Sequence, residues 1–185
     1  MGIMEHANIA AIGKAPEPPQ IPVCQLFVSA GHNYFEHHGK PAGKNAIVEV
    51  PRIECVAGRG IRGDRFFDYK EKYKGQITFF AWETFKRIFA AFDARHCSTA
   101  AFRRNVITIN TDLNALIGND FWIQGIHFQG TEECRPCYWM DQAIAPGACE
   151  FLQGNGGLRA RILSDGFLCV ERGLKVTGTG IRKDE

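Results

Sequence analysis

The chain has 185 residues, 45% of them hydrophobic and 23% charged, and its formal net charge is +2. This length accommodates one domain with a single well-filled core, and the composition is typical of a soluble globular protein. So small a net charge gives no electrostatic reason to expect nucleic-acid binding. No apolar run approaches the ~18 residues that a membrane span requires, so we expect neither a nucleic-acid nor a membrane partner.

The cysteine count indicates the redox environment. There are seven cysteines, an odd number, and residues 1–15 lack the basic start and continuous apolar stretch of a secretory signal. Both features argue against a secreted disulfide scaffold and for reduced thiols. We therefore predict a cytoplasmic protein.

A proline-rich segment near the start sets the predicted domain boundary. Ala15–Pro22 contains four prolines and has no amphipathic period, which predicts an extended leader. We assign residues 1–22 to this leader and residues 23–185 to one domain. Within that domain, the polar stretch Ala30–Asn45 is compatible with either a functional loop or a hairpin tip.

Short strand-like runs separated by turn residues recur along the domain. The predicted strands are Cys24–Ala30, Ala46–Val50, Ile53–Val56, Gly75–Phe80, Asn105–Asn110, Asp120–Ile123, Ile126–Gly130, Arg159–Leu163, Phe167–Val170 and Leu174–Thr177. Because closing a sheet removes its exposed edges, many short strands with few helices favour a barrel. We predict a mainly β (α+β) fold, a closed or partly closed β-barrel with a few flanking helices.

Two segments have helical patterns. Trp82–Phe92 places apolar side chains on one face at helical spacing, which indicates core packing. Pro146–Gln153 is shorter. There Pro146 suits a first helical turn, and Gly154 would end the helix.

The densest local chemistry lies in Glu133–Trp139, where Cys134 and Cys137 flank an arginine and a proline. A thiolate is stabilised by nearby positive charge, and it is the form that attacks, carries sulfur or binds metal. A structural zinc half-site would need a second pair of Cys or His at suitable spacing, which the sequence lacks. A redox pair should open a helix in a βαβ unit, and a single working thiol at Cys137 is the third use. Alternatively, both cysteines are small buried hydrophobes.

Two arginine-containing motifs precede this pair. In Gly60–Arg65 the glycines allow a tight turn, Asp64 can orient a guanidinium, and an arginine can hold an anion bidentately. In Phe102–Val106, strand alternation would point Arg103 and Asn105 to one side, towards a phosphate or the edge of a heteroaromatic ring. The alternative in both cases is solvated surface charge.

A third basic segment, Leu158–Ile162, carries Arg159. If Arg159 and Arg161 of this segment converge with Arg65 and Arg103, the guanidiniums form a positive cup of phosphate size near the thiol. Among the histidines, His32 is the one candidate for a site residue, whereas His37 and His38 are expected in a loop.

Taken in order, these elements resemble a MOSC domain, the module named for the C-terminal part of molybdenum-cofactor sulfurases, over about Gln25–Val176. The resemblance rests on the motifs at Gly60–Arg65 and Phe102–Asn105, on Cys137 before a helical segment, and on a closing region with Gly-x-x-x-Arg. Relatives of the amidoxime-reducing type carry a similar two-cysteine stretch in which the second cysteine is the functional one. This resemblance favours Cys137 over Cys134 as the functional thiol.

The resemblance implies that Cys137 coordinates the molybdenum of a pterin cofactor, with Arg65, Arg103 and Asn105 in contact with that cofactor. We add Arg159 to this cofactor-binding set because of its position in the basic segment. The implied reaction is reduction of an N-hydroxylated small molecule, with an electron-donor protein as partner. Pyridoxal phosphate belongs to the separate aminotransferase-like domain of the sulfurases, so we do not expect it to bind here.

Two other functions stay open at this point. In one, Cys137 carries a persulfide without metal, and the protein is a sulfur carrier or transferase served by a sulfur-donor protein. In the other, the domain is a non-catalytic module that binds an anion or a partner protein. The chain also departs from the family pattern, because Arg172-Gly173-Leu174 lacks the acidic residue that many members have before the last strand.

Overall fold

A computed structural model describes residues 20–34, 41–177 and 180–182 of the protein, with the strand residues 175–177 and 180–182 described by backbone alone. The strands are β1 (Val23–Val28), β2 (Val48–Glu49), β3 (Arg52–Val56), β4 (Gly60–Ile61), β5 (Ile77–Ala81), β6 (Val106–Thr108), β7 (Asp120–Ile123), β8 (Ile126–Glu133), β9 (Leu158–Ile162), β10 (Gly166–Cys169), β11 (Lys175–Thr177) and β12 (Gly180–Arg182). The α-helices are α1 (Trp82–Ala91), α2 (Trp139–Ala143) and α3 (Ala148–Phe151), and 3-10 turns occur at Thr99–Phe102 and Asn114–Leu116.

The strands form one large curled sheet and two small sheets. The large sheet has seven strands in the order β2-β1-β6-β5-β9-β8-β7 and curls into a half-barrel. All its described pairings are antiparallel except that between β5 and β6. The second sheet has the order β10-β3-β4, and β11 pairs with β12.

Alternation of side chains along the strands builds an apolar cluster on each face of the large sheet. The inner cluster packs the large sheet against β10-β3-β4, and its aromatic centre is Phe79, Phe121 and Phe128, with ring centroids 5.5–5.7 Å apart. The outer cluster packs the other face against the helices, with Phe80 stacked on Phe102 at 4.3 Å. The outer face of the sheet also carries the candidate site.

Strand β5 is the centre of the molecule. Residues 77–80 are all buried, with Phe79 in the inner cluster and Phe80 in the outer one. Because β5 and β6 are parallel, the chain between them must cross over, and α1 makes the first part of that crossover. Its Phe85 and Ile88 are buried in the outer cluster, as the helical pattern predicts.

The prediction of a mainly β fold with a few flanking helices is confirmed, and most predicted strands are found within two residues of their predicted bounds. Three differences have local causes. Helix α3 begins only at Ala148, because Gly147 before it adopts a left-handed conformation with φ of 91°. Helix α2 and strand β4 were not predicted, because Tyr138 and Trp139 are poor first-turn residues and β4 has only two residues.

Parts of the predicted organisation lie outside the described residues. These parts are positions 1–19 of the proposed leader and positions 35–40 of the polar stretch, which include His37 and His38. Within the described ranges, every helix is too short or too polar to cross a membrane.

We expect Phe79→Ala to lower the free energy of unfolding by about 3–5 kcal/mol, because it removes the middle ring of the inner cluster and leaves a cavity. Phe167 is 50% exposed, so Phe167→Ala is the matched control and should have little effect. Urea unfolding followed by tryptophan fluorescence measures both variants. A similar loss in the two would contradict the described packing.

Candidate functional site

A cavity of about 580 Å³ opens on the outer face of the large sheet. It lies above Thr78 of β5 and Arg159 of β9, which are paired across the two strands. Its walls come from four segments, namely the loop after β1, the chain between β4 and β5, the turn before β6, and the chain from the end of β8 into α2. Residues distant in sequence therefore meet at one site.

The charge of this cavity is strongly one-sided. Among the described residues, five arginines and no acidic side chain line it, and we call it the arginine cavity. The five are Arg65, Arg103, Arg104, Arg135 and Arg159. Guanidinium groups bind carboxylate and phosphate bidentately, so the cavity is suited to an anionic ligand.

A buried carboxylate next to the arginine cavity fixes two of the predicted residues. The side chain of Asp64 is 1% exposed and accepts four hydrogen bonds. The donors are Ser29 N at 3.1 Å, Phe66 N at 3.2 Å, Asn105 Nδ2 at 3.1 Å and Arg65 Nη1 at 3.2 Å. A buried carboxylate is tolerated only when it is paired and hydrogen-bonded in this way.

Arg65 joins this carboxylate to the turn before β6. Besides its bond to Asp64, it donates from Nη2 to the carbonyl oxygen of Arg103 at 3.0 Å. Burial is the largest influence on the Arg65 guanidinium and lowers its pKa, which the charge of Asp64 opposes. An arginine still stays charged in proteins. Arg65 therefore contributes to the cavity a positive charge whose position is fixed by these hydrogen bonds.

Asn105 supports the arginine cavity and does not line it. Its Oδ1 accepts from the backbone N and the Oγ1 of Thr78, at 3.1 and 2.8 Å, and its Nδ2 donates to Phe27 O and to Asp64. These bonds use all four positions of the amide. The side chain that was expected to reach a cofactor is therefore committed to the protein itself.

The turn before β6 differs from its prediction. The 3-10 turn ends at Phe102, Arg103 adopts a left-handed conformation with φ of 53°, and β6 begins only at Val106. Strand alternation therefore does not apply here, and Arg103 and Arg104 both line the arginine cavity. The interpretation of the two arginines as solvated strand-entry charges is wrong for Arg103, which is 8% exposed.

The guanidinium of Arg103 is anchored to the loops beside it. It donates to Ser29 Oγ and Gly31 O, both at 2.9 Å, and to Asn45 O at 3.3 Å. Burial lowers the pKa of Arg103, and the neighbouring charge of Arg65 acts in the same direction. The two guanidiniums are thus held close together by bonds to protein oxygens.

The two cysteines of the pair have opposite environments. Cys137 is exposed and lines the cavity. Cys134 lines the same cavity but is buried, with 3% of its surface exposed. Burial raises the pKa of Cys134, although Arg104 and Arg159 favour its thiolate. Strand β8 before the pair is antiparallel to β9, so the βαβ setting of a thioredoxin-like redox pair is absent from this part of the chain.

Arg159 has an unfilled donor inside the protein. Its Nη1 lies 3.5 Å from Tyr73 Oη and 3.6 Å from Glu132 Oε1. Its Nε is buried and has no hydrogen-bond partner within the described residues. A buried donor without a partner is costly, so the Arg159 side chain is held in place at the expense of one hydrogen bond.

Aromatic rings complete the walls of the arginine cavity. Tyr34 stacks on Trp139 with ring centroids 4.6 Å apart, and Phe66 stacks on Tyr73 at 5.2 Å. His32 lines the cavity as well and contacts Phe66 edge-on at 4.8 Å. Burial raises the pKa of Tyr34, so its phenol keeps its proton near neutral pH. Flat apolar faces beside guanidiniums suit a planar anionic ligand.

The structure brings together four of the five residues singled out from the sequence. Arg65, Arg103, Arg159 and Cys137 line one cavity, and Asn105 lies next to it. Sequence reasoning missed Arg104, although this residue stood in the same motif. The roles of the five predicted residues in binding a ligand stay a prediction.

Comparison with known proteins agrees with this architecture. The family model described as MOSC domain matches residues 36–177, and the chain belongs to this family. The crystal structure of YuaD from Bacillus subtilis is similar, with a TM-score of 0.63 and 15% identity over 81% of this chain and 91% of that one.

Two further solved structures are similar. YiiM from Escherichia coli has a TM-score of 0.60 and 16% identity, over 83% of this chain and 67% of that one. YiiM from Geobacillus stearothermophilus has a TM-score of 0.57 and 14% identity, over 86% and 80%. At these identities the likeness shows a shared fold. No curated protein matches the chain.

We expect iodoacetamide to label the folded protein in a defined order near neutral pH. Cys137 should react before Cys169, since both are exposed but only Cys137 lines a positively charged cavity. Cys24 and Cys55 should react last, because burial raises the pKa of each to about 12. Peptide mass spectrometry after timed quenching gives the rates, and urea-unfolded protein is the control. Equal rates for the four thiols in folded protein would argue against an activated site.

Asp64→Asn should lower the free energy of unfolding by about 3–5 kcal/mol, because it leaves the Arg65 guanidinium buried without its counter-charge. Asp68→Asn is the matched control four residues later, at an exposed aspartate paired with Arg59, and should change little. Chemical denaturation measures both. Equal effects would show that the buried carboxylate is not a structural centre.

Proposed function

We propose that the protein binds molybdenum cofactor in the arginine cavity, with the Cys137 thiolate as a metal ligand, and reduces N-hydroxylated small molecules. The observation that supports this proposal is the placement of an exposed thiol on the wall of a cavity lined by five arginines. Family membership agrees with it, since the MOSC domain is named for molybdenum-cofactor sulfurases.

The chemistry of the cavity fits such a cofactor. A pterin is planar and carries a phosphate, and the walls of the cavity offer both aromatic rings and guanidiniums. Its volume of about 580 Å³ falls within the usual range for small-molecule sites. Arg65, Arg103 and Arg159 would hold the phosphate, since all three line the cavity.

Cys137 would be the protein's contribution to the metal. Among the described residues, no three His, Cys, Asp or Glu side chains form a group that could hold a metal ion. A molybdenum ion here would therefore depend on one thiolate and on the cofactor's own ligand atoms. A thiolate is a soft ligand, and the hydrogen bonds around it tune the metal.

The cofactor, when bound, supplies the redox chemistry. Reduction of an N–OH group to N–H consumes two electrons and two protons and releases water. The electrons would come from an electron-donor protein. The protein itself binds and orients the anionic cofactor through its arginines, and the protonated phenol of Tyr34 stands in the same cavity.

A second candidate function uses the same thiol without metal. Cys137 is exposed, so a donor protein that itself carries a persulfide can reach it. The Cys137 thiolate would attack the outer sulfur of that persulfide, the donor's cysteine would leave as a thiolate, and the new persulfide would lie beside guanidiniums that stabilise its negative charge. The buried Cys134 cannot be reached in this way. The two candidate functions therefore differ in what is bound to the Cys137 sulfur. It is a second sulfur atom in the sulfur carrier and molybdenum in the cofactor-binding protein.

Elemental analysis of gently purified protein tests the first proposal. We expect about one molybdenum per chain, and its loss in Cys137→Ser, since the serine hydroxyl is a poor substitute for a soft thiolate. Cys169→Ser is the matched control at the other exposed cysteine and should keep the metal. The loaded protein should convert an N-hydroxylated compound to its amine with a chemical reductant.

The other outcomes are distinguishable. Protein without molybdenum but with a cyanide-labile sulfur on Cys137, detected by mass spectrometry, would replace the reductase proposal with the sulfur carrier. A Cys137→Ser variant that keeps metal content and reductase activity would overturn both. Binding without either chemistry would indicate a non-catalytic module.

A further inference from the structure

We propose that Arg104 is a positioning residue, which holds the Cys137 loop against the arginine cavity by gripping three separate chain segments. This inference rests on the proposed function only in taking Cys137 as the working thiol. Sequence alternation assigned Arg104 to the opposite side of a strand, and nothing in the family resemblance gives it this role. Three hydrogen bonds of the Arg104 side chain support this role.

The guanidinium of Arg104 donates to three backbone carbonyls. Nη1 bonds to Phe102 O at 2.7 Å, Nε to Gly156 O at 3.1 Å, and Nη2 to Cys134 O at 3.1 Å. These oxygens belong to the turn before β6, the glycine-rich loop before β9 and the first residue after β8. One half-buried side chain therefore joins three loops that line or border the cavity.

Two further contacts lock the glycine-rich loop to the cysteine loop. Cys134 N donates to Gly157 O at 2.7 Å, and Gly156 N donates to Glu133 Oε1 at 3.0 Å. A Cβ at position 156 would lie 2.2 Å from Cys134 O, so only glycine allows this approach. The carbonyl that Arg104 grips is thus confined from both sides.

These contacts at Cys134 determine the position of Cys137, because the chain between the two cysteines has little conformational freedom. Pro136 fixes one backbone torsion, and the carbonyl of Cys137 accepts from Met140 N at 2.8 Å as α2 begins. Held at Cys134 by Arg104 and at Trp139 by the helix, the loop presents the Cys137 thiol to the guanidiniums of the cavity.

The role requires an arginine. A guanidinium has five N–H donors in a fixed planar fork, so it can serve three carbonyls that lie in different directions. A lysine keeps the charge but concentrates its donors on one nitrogen, and it cannot reproduce this spacing. Arg104→Lys therefore removes the set of three hydrogen bonds while keeping the positive charge.

The test compares two alkylating reagents at Cys137 in the full chain without added cofactor. Anionic iodoacetate is attracted to a thiol that faces arginines, whereas neutral iodoacetamide is not, so the ratio of their rates, normalised to that of Cys169, reports what Cys137 faces. We expect a high ratio in the wild type that falls with salt. In Arg104→Lys we expect it to drop about fivefold.

Two controls make the result specific. Arg161→Lys changes a half-buried arginine of β9 that does not line the arginine cavity, and it should keep the wild-type ratio. Arg104→Ala should also have a low ratio, and added methylguanidinium should restore it. A loss of stability alone would change neither the ratio nor its rescue.

If Arg104→Lys does not fold, Gly156→Ala tests the same contact with Arg104 intact, because its new Cβ displaces the Cys134 carbonyl, and the ratio should again fall. A wild-type ratio in folded Arg104→Lys or Gly156→Ala would overturn the proposal. Since the assay needs no molybdenum, metal-free wild-type protein with a high ratio would leave this role of Arg104 standing while removing the reductase proposal.

Discussion

The buried carboxylate of Asp64 is the interaction on which the site depends. It receives donors from Ser29 just after β1, from the chain after β4 and from the turn before β6. Strands β1 and β6 pair in the large sheet, whereas β4 belongs to the second sheet. Because a buried charge without partners is expensive, each of these segments is fixed by the need to satisfy it. The arrangement also sets a charge balance, since Asp64 neutralises Arg65 and leaves the other cavity arginines without an acidic neighbour on the cavity wall.

The positive charges of those arginines repel one another, and the dipoles of backbone carbonyl groups hold the side chains in place. Arg103 and Arg104 donate mainly to backbone carbonyls, which orient a guanidinium without cancelling its charge. A carboxylate in the same place would compete with an anionic ligand. Burial lowers the pKa of Arg65 and of Arg103, a sign that their charge is destabilised in the protein alone. An anion in the cavity would be attracted to both guanidiniums.

How much of this could be predicted depends on the range of the interactions. Strand alternation and the apolar face of α1 are local patterns, and they located most elements, including strand β5. The motif at Gly60–Arg65 indicated correctly that Asp64 orients a guanidinium, because neighbours in sequence make that contact. The turn at Arg103 was mispredicted, since this residue has a left-handed backbone and its side chain bonds to Ser29 and Gly31, which are distant in sequence. Arg104 was missed because two of its three partners, Cys134 and Gly156, are distant in sequence.

The two cysteines show why spacing alone could not assign their roles. Both lie on one loop beside the same guanidiniums, and positive charge would favour a thiolate at either. Desolvation decides between them. At Cys134 burial outweighs the arginines and the pKa rises, so its sulfur stays a protonated, packed group whose backbone carbonyl anchors the loop. Cys137 is exposed on the same cavity, where solvent and ligand can reach its sulfur. In the proposed function, the backbone carbonyl of Cys134 anchors the loop, and the exposed Cys137 offers its sulfur to the bound ligand.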